Sequence, residues 1–214
     1  MVIFDVDHTI TSASTGRRFA ECAQKSGYFP WYRLLVVPIF YIRYRYGALA
    51  SEEFMKYLTP LKDISRDHLL ELTRQCYRER IRPDIYADAR RELERYQNDG
   101  RELVLATSSL DIIVEPLAEE LGVEHVISTQ VEFSDGVATG HAANPPCFGH
   151  EKERQVLDFI REHGKEPEDC TFYSDSSHDL PLLRAVGRPV AVNADRRLLR
   201  VAAREGWETR TFRR

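Results

Sequence analysis

Strands and helices alternate along residues 89–214, and this alternation restricts the chain to few folds. Apolar runs typical of buried strands occupy residues 102–108, 124–129, 170–175 and 189–193, with helical apolar spacing between them. A hairpin is predicted at residues 130–141, turning at Asp135-Gly136. Because parallel strands are connected through helices that pack on the sheet, the pattern predicts a doubly wound α/β fold with a parallel sheet. Residues 2–4 supply its first strand.

The segment between the first and second predicted strands has a different pattern. Residues 12–88 show helical spacing throughout, with Ser14 or Thr15, Ser51 and Ser65 as candidate N-caps. We therefore expect an all-helical cap over residues 12–88, inserted into an α/β core formed by residues 1–11 and 89–214.

Composition excludes some classes of protein. Of 214 residues, 43% are hydrophobic and 30% charged, which is ordinary for a domain that folds in water, and the net charge of −4 does not favour a nucleic-acid partner. The four cysteines are widely spread without a CxxC pair, which is typical of the reducing cytoplasm. No room for a signal peptide precedes Asp5. A cytoplasmic location is therefore expected.

The most apolar stretch lies inside the predicted cap. Its uncharged run, residues 34–42, contains Pro38 and is much shorter than the ~20 residues that cross a bilayer. We expect a buried or half-buried helix there and no transmembrane segment. Peripheral contact with lipid, or with an apolar substrate, is the alternative.

Two aspartates follow the first strand directly. Asp5 and Asp7 are two residues apart, and side chains at that spacing in an extended chain point to the same side. Their carboxylates repel each other unless a cation or a proton lies between them. Such a pair is unfavourable for folding and is often functional.

Further polar residues follow the other predicted strands. Thr107, with Ser108 beside it, ends the second strand, Asp175 ends the third with Asp179 four residues on, and Lys152 opens the preceding helix. Ligands of open α/β sheets bind at the carboxyl ends of the strands, so these groups are expected to form one site. Converging carboxylates suit Mg²⁺, whereas the set lacks the sulfur and imidazole ligands that zinc prefers.

The same residue types suit phosphoryl transfer. An ammonium group and a hydroxyl would bind phosphoryl oxygens, and a carboxylate can attack phosphorus to form an aspartyl phosphate. A second acid can protonate the leaving oxygen and then activate water. Two acids with two roles explain the spacing of Asp5 and Asp7.

The ordered motifs resemble those of the haloacid dehalogenase-like phosphatases. The match comprises Asp5-Val6-Asp7-His8-Thr9, Thr107 in "VLATSS", Lys152 in "GHEK", and Asp175 with Asp179 in "YSDSSHDLPLL", and it spans nearly the whole chain. The helical insertion is similar to the cap of the phosphoserine-phosphatase-like branch.

The resemblance implies a role for each residue. Asp5 would be the nucleophile and a metal ligand, and Asp7 the general acid/base that ligates through its backbone carbonyl. Asp175 would be the third ligand. Thr107, Ser108 and Lys152 would bind the phosphoryl group, and Asp179 would orient Lys152 or the waters of the metal. A small phosphomonoester is the expected substrate; the oligomeric state is left open.

The chain departs from the family pattern at several positions. His8 stands where a small residue is usual, Ser174 where Gly is common, and Ser14 where phosphoserine phosphatases carry Glu; a cap arginine has no clean match near Met55-Lys56. These departures argue against phosphoserine as the substrate. A phosphotransferase using the same intermediate, and a non-catalytic module that binds phosphate and Mg²⁺, are the alternatives to a phosphatase. A receiver domain is disfavoured because it is shorter and lacks the helical insertion.

Overall fold

A computed structural model describes residues 1–26 and 58–214, and six of its strands form one parallel sheet in the order β3-β2-β1-β6-β7-β8. The strands are β1 (Val2–Phe4), β2 (Leu103–Leu110), β3 (His125–Thr129), β4 (Val131–Ser134), β5 (Val137–Ala142), β6 (Thr171–Ser174), β7 (Arg188–Val192) and β8 (Glu208–Arg210). Strands β4 and β5 form a separate antiparallel pair.

The α-helices of the described residues are numbered here in chain order. They are α1 (Thr15–Lys25), α2 (Arg66–Cys76), α3 (Ala87–Asn98), α4 (Asp111–Leu121), α5 (Gly149–Glu162), α6 (Leu180–Ala185) and α7 (Arg196–Glu205). The hydroxyls of Ser14 and Ser65 accept hydrogen bonds from first-turn amides of α1 and α2, which confirms the two predicted caps. Gly122 ends α4 in the left-handed conformation, as glycine permits at little cost.

Buried apolar side chains lie on both faces of the sheet. Val2 and Phe4 point to the face covered by α1 to α4, whereas Ile3 points to the face covered by α5 to α7. This two-residue alternation follows from the strand period. The structure thus has helices on both sides of a parallel sheet, and the predicted doubly wound α/β fold is confirmed.

Helices and turns, but no strand of either sheet, fill the described residues between β1 and β2. Phe19 of α1 and Leu69 of α2 belong to the same buried cluster as Val2 and Phe4. The apolar run 34–42 and the helix predicted to follow Ser51 lie outside the described residues. The division into a core and a cap at residues 11 and 89 stays a prediction.

Two strands differ from the sequence prediction. Strand β2 continues to Leu110, with a shift of register against β3 after Ala106, so Thr107 lies within the strand and not at its end. Strand β8 was not predicted because its three residues, Glu208–Arg210, are polar and charged. Only pairing with β7, which places Val190 beside Glu208, defines it as the edge strand.

The strand order reverses beside β1. From β1 the chain proceeds through β2 to β3 on one side, and β6, β7 and β8 then follow on the other side. The carboxyl ends of β1 and β6 therefore flank the crevice where ligands of such sheets bind. In the part of the chain that the structure describes, no helix has the length and apolar character needed to span a bilayer.

Candidate active site

Asp5 lies at the centre of a buried polar cluster. Strand β1 ends at Phe4, and the Asp5 amide still donates to the Tyr173 carbonyl of β6 at 2.9 Å, which fixes the position of its side chain. One carboxylate oxygen accepts from Lys152 Nζ at 2.7 Å and the other from Thr9 Oγ1 at 3.3 Å. The side chain is thus held by its neighbours in one orientation at the sheet edge.

Lys152 connects two acids that are far apart in sequence. It lies in the first turn of α5, is 3% exposed, and donates to Asp5 at 2.7 Å and to Asp179 at 2.9 Å. The Ser174 hydroxyl also donates to Asp179, at 2.7 Å. Burial by itself would lower the pKa of Lys152, but the carboxylates of Asp179 and Asp5 hold it well above its ordinary value.

Asp7 is bound to the N-terminus of α1. Its Oδ1 accepts from the Thr15 amide at 2.9 Å and from the Thr15 hydroxyl at 2.8 Å. The positive end of the helix dipole favours a carboxylate there. Thr15 Oγ1 lies 2.8 Å from Ser109 Oγ, and the Ser109 amide donates to Thr107 Oγ1 at 3.1 Å. A chain of hydrogen bonds thus runs from Asp7 to Thr107.

Asp175 follows β6 and is held by its backbone. Its carbonyl accepts from the Asp195 amide at 2.9 Å, and the Asp195 carboxylate accepts from the Ser177 amide at 2.7 Å. Asp195 also caps α7, accepting from the Arg197 and Leu198 amides. One residue therefore joins the loop after β6 to the start of α7.

Two acids of the cluster, Asp5 and Asp175, have a raised pKa. Burial, opposed by Lys152 and reinforced by Asp179 and Asp7, raises the pKa of Asp5 to about 7. Burial, together with Asp5, Asp179 and Asp7, raises the pKa of Asp175 well above its usual range. Crowded carboxylates that bind a proton at neutral pH would also bind a cation.

The predicted residues divide into two groups by position. Asp5, Asp7, Asp175 and Asp179 line one cleft of about 750 Å³, and Lys152 contacts two of them from behind. Thr107 and Ser108 are not among the residues lining that cleft. Thr107 is 1% exposed and is linked to the cluster through Ser109 and Thr15. The acids and the lysine therefore converge, whereas two hydrogen-bonded residues separate the Thr107 hydroxyl from Asp7.

The structure adds residues that the sequence alone did not single out. They are Thr9, Thr15, Ser109 and Asp195. Thr9 belongs to the motif after the first strand, Thr15 is a candidate N-cap, and Ser109 follows Thr107 and Ser108 directly, so these three carried a signal. Asp195 could have been noticed as a helix N-cap after a predicted strand. The departure at Ser174 is also explained, because its hydroxyl binds Asp179.

His8 has an unfavourable backbone conformation beside the acids. Its φ of 62° lies in the left-handed region, where a residue with a Cβ is strained. This explains why a small residue is usual at this position. Its side chain lines the cleft, and its Nε2 is buried without a hydrogen-bond partner among residues 1–26 and 58–214.

The donor set fits a hard divalent cation. The cluster contains four carboxyl groups and one ammonium group, which contacts two of them, so acidic groups are in excess and their ligand atoms are oxygens. Thr15 occupies Asp7 Oδ1, and the family resemblance assigns the backbone carbonyl of Asp7 as its metal ligand. Asp5, Asp7 and Asp175 are the residues that would hold such an ion, and this ligand set stays a prediction.

Comparison with known proteins identifies the family. The model of the family described as haloacid dehalogenase-like hydrolase matches residues 2–184. The chain belongs to this family. The predicted family and the prediction that the chain is an enzyme of the hydrolase class are thereby confirmed.

Individual relatives of this haloacid dehalogenase-like hydrolase cover its whole length. A histidinol-phosphatase from Neisseria meningitidis serogroup C (strain 8013) is 32% identical over 219 residues, covering 100% of this chain and 99% of the relative. A solved structure of a protein of unknown function from Bordetella pertussis Tohama I has a TM-score of 0.88 at 28% identity, with 98% and 96% of the two chains covered.

A third likeness concerns the fold alone. The solved structure titled as a phospho-aspartyl intermediate analogue of phosphoserine phosphatase has a TM-score of 0.72 at 18% identity, covering 98% of this chain and 91% of that one. The arrangement of strands and helices in this haloacid dehalogenase-like hydrolase is thus that of the phosphoserine phosphatase fold.

Proposed function

We propose that the chain is a Mg²⁺-dependent phosphatase that hydrolyses a small phosphomonoester through an aspartyl phosphate on Asp5. The observation that carries the proposal is the convergence of Asp5, Asp7, Asp175 and Asp179 on one cleft, with Lys152 bound to two of them. Membership of a hydrolase family and the likeness to a histidinol-phosphatase support it.

Asp5 would act as the nucleophile. A carboxylate oxygen of Asp5 attacks phosphorus, and the bond between phosphorus and the ester oxygen breaks. Lys152 and Thr9 already bind the two oxygens of Asp5 and would orient the attack. The ammonium group of Lys152 would also offset the negative charge of the phosphoryl group.

Asp7 would move the protons. It donates a proton to the ester oxygen as that oxygen leaves, and then takes a proton from the water that attacks the phosphorus of the intermediate. The second step breaks the bond between phosphorus and Asp5 and releases inorganic phosphate. Thr15 binds Oδ1 of Asp7 with two hydrogen bonds, so the other oxygen stays available for this exchange.

The proposed ion and cap complete the site. Mg²⁺ bound by Asp5, Asp7 and Asp175 would supply Lewis-acid stabilisation of charge on the phosphoryl oxygens. The cap predicted at residues 12–88 would cover the cleft, exclude bulk water and select the substrate.

The substrate is expected to be a small phosphomonoester. Arg196, Arg197 and Arg200 line the outer part of the cleft and would attract a phosphorylated molecule. Ser14, which lines the cleft and caps α1, stands where phosphoserine phosphatases carry Glu, which disfavours phosphoserine. The name of the Neisseria relative makes histidinol phosphate the first compound to compare.

The test is Mg²⁺-dependent release of phosphate from p-nitrophenyl phosphate and from a panel that includes histidinol phosphate and phosphoserine. Asp5→Asn should lower kcat by on the order of 10³-fold or more, because the amide cannot attack phosphorus. Asp99→Asn, after the last turn of α3, is the matched control and should retain activity. If Asp5→Asn turned over substrate at the wild-type rate, the assignment of Asp5 as the nucleophile would be refuted. If the folded wild-type protein showed no turnover, a non-catalytic binding module would be favoured. If added alcohols became phosphorylated, a phosphotransferase would be favoured.

A further inference from the structure

A second cluster of ligand-bearing side chains lies away from the proposed active site. Glu102 precedes β2, His125 begins β3, and His163 follows the last turn of α5. Their candidate ligand atoms all lie within 4.8 Å of one another. These positions are at the amino ends of the strands, whereas Asp5 and Asp175 follow the carboxyl ends of β1 and β6.

The fold explains why the three residues meet. His125 begins β3 where Val104 pairs with it, and Glu102 is two residues before Val104, so the side chains share one face of the sheet. Helix α5 covers this face with Val156 and Ile160. Lys152 at the start of α5 contacts Asp5, and His163 lies eleven positions later, or roughly 16 Å along the helix. The far end of α5 therefore reaches the opposite edge of the sheet.

We propose that Glu102, His125 and His163 form a Zn²⁺ site. Two imidazoles and one carboxylate are a common protein ligand set for zinc, with water completing the tetrahedron. Ligand atoms about 2.0–2.1 Å from zinc lie about 3.4 Å from each other in a tetrahedron. Glu102 Oε1 is 3.5 Å from His125 Nε2 and 4.0 Å from His163 Nε2, so small side-chain movements suffice.

The hydrogen bonding of His163 prepares it as a ligand. Its Nδ1 lies 2.8 Å from the Phe159 carbonyl oxygen, which can only accept, so Nδ1 carries the hydrogen. The neutral ring then has its free electron pair on Nε2, the atom that faces Glu102. A ring nitrogen that donates to a backbone carbonyl while the other binds the metal is the usual arrangement of metal-binding histidines. Phe159 also stacks on the His163 ring, with centroids 3.9 Å apart, and limits its rotation.

A neighbouring lysine competes for the same carboxylate. Lys165 Nζ binds Glu102 Oε2, whereas both histidines face Oε1. Zinc bound through Glu102 Oε1 would leave the contact between Lys165 and Oε2 in place. The positive charge of Lys165 would nevertheless repel the zinc ion. The bound ion would join the end of α5 to β2 and β3, and so would stabilise the helix that carries Lys152.

Calorimetric titration of the metal-stripped full chain with Zn²⁺ tests the proposal. The titration is carried out at pH 7.5 with excess Mg²⁺, which occupies the carboxylate cluster around Asp5 and Asp175. We expect a Zn²⁺ binding event that is lost in the double variant His125→Ala/His163→Ala. Each single substitution, with His163→Gln as the mildest, should weaken this event by about tenfold or more, because even outer partners of a metal contribute roughly 10–100-fold.

Two further variants test whether changes in Zn²⁺ affinity arise at the proposed site. His150→Ala, an exposed histidine at the other end of the same helix, is the matched control and should bind Zn²⁺ like wild type. Lys165→Ala should bind Zn²⁺ more tightly, because it removes the competing charge; a pure ion-pair network predicts no such gain. Co²⁺ in place of Zn²⁺ should give the intense visible absorption of a tetrahedral site. Equal Zn²⁺ affinity in wild type and the double variant, with both folded by circular dichroism, would overturn the proposal.

Discussion

His8 has a strained backbone conformation and also lines the proposed active site. A φ of 62° is strained for any residue with a Cβ, by roughly 1–2 kcal/mol. Strain of this kind persists where the surrounding structure enforces it, and it is concentrated at functional sites. His8 lines the same cleft as Asp5 and Asp7, and we expect its side chain to contact the leaving group of the substrate.

We predict that His8→Gly separates strain from function. Glycine removes the left-handed strain but increases the entropy of the unfolded chain, so the free energy of unfolding should stay level or rise by up to about 1 kcal/mol. The value of kcat/KM for the best substrate should fall, because the side chain facing the leaving group is gone. Urea denaturation and steady-state kinetics measure the two effects.

Asp63→Gly is the matched control for this prediction. Asp63 has a φ of 67° but is exposed and does not line the cleft, so the same backbone change there should leave kcat/KM unaltered. If His8→Gly turned over every substrate as wild type does, the imidazole would have no part in substrate contact.

At the scale of elements, the N-termini of two helices hold the site together. The start of α1 binds Asp7 through Thr15, and the start of α7 binds the loop after β6 through Asp195. Both arrangements use amides that a helix leaves without an internal partner. Helix N-termini therefore hold the Asp7 carboxylate and the backbone around Asp175 in place.

We predict that Thr15→Val lowers kcat by about tenfold with little change in KM. Valine keeps the backbone amide but removes the hydroxyl that donates to Asp7, so the acid is oriented less well for proton transfer. The pH profile of kcat should shift along with the fall in rate. Thr139→Val, on the β4–β5 hairpin and outside the cleft, should change neither quantity. An unshifted pH profile in Thr15→Val would argue against a link between Thr15 and the general acid.

Asp195→Ala should destabilise the protein and weaken Mg²⁺ binding together. The substitution leaves the Leu198 and Ser177 amides without their acceptor, for which loss of a helix cap predicts about 1–2 kcal/mol. Burial raises the pKa of Asp195, but the hydrogen bonds from these amides lower it below its usual range. The helix cap and the loop contact therefore both depend on the charge of Asp195. Urea denaturation and calorimetry with Mg²⁺ measure the effects. Asp195→Asn should show a smaller loss of stability than Asp195→Ala. Normal Mg²⁺ affinity in Asp195→Ala would show that the contact of Asp195 with the loop after β6 does not contribute to metal binding.

For the whole molecule, the buried acids make stability depend on pH. The folded protein retains a proton on Asp5 up to about pH 7, because burial raises its pKa, whereas the unfolded chain releases it near pH 4. The folded state therefore binds more protons in this interval, and the free energy of unfolding contributed by Asp5 falls as pH rises from about 4 to 7. Asp175, whose pKa is also raised, contributes in the same direction.

We predict that Mg²⁺ stabilises the protein more at pH 8 than at pH 5. At pH 8 the cation binds carboxylates that are otherwise charged and crowded, whereas at pH 5 it must first displace a proton. Thermal unfolding in EDTA and in Mg²⁺ at the two pH values measures the difference. The double variant Asp5→Asn/Asp175→Asn should lose this difference, and an equal Mg²⁺ effect at both pH values in wild type would contradict the assignment.

The fold was largely predictable because it depends on periodic features. The apolar runs, the serine caps at Ser14 and Ser65, and the turn at Asp135-Gly136 are local signals, and the structure contains each of them. Strand β8 gave no such signal, since a short charged edge strand exists only through its pairing with β7. The continuation of β2 through Thr107 to Leu110 likewise follows from its pairing with β3.

The sequence by itself determined which chemical groups this chain has and that Asp5 and Asp175 follow two strand ends, because alternating strands and helices bring those ends to one side of a parallel sheet. Only the tertiary structure decided how the groups are bonded: Lys152 to Asp5 and Asp179, Thr15 to Asp7, Ser174 to Asp179. It also placed Glu102, His125 and His163 together at the far edge. Hydrogen bonds depend on distances of a few tenths of an ångström between distant parts of a chain, and no local pattern of residues encodes those distances.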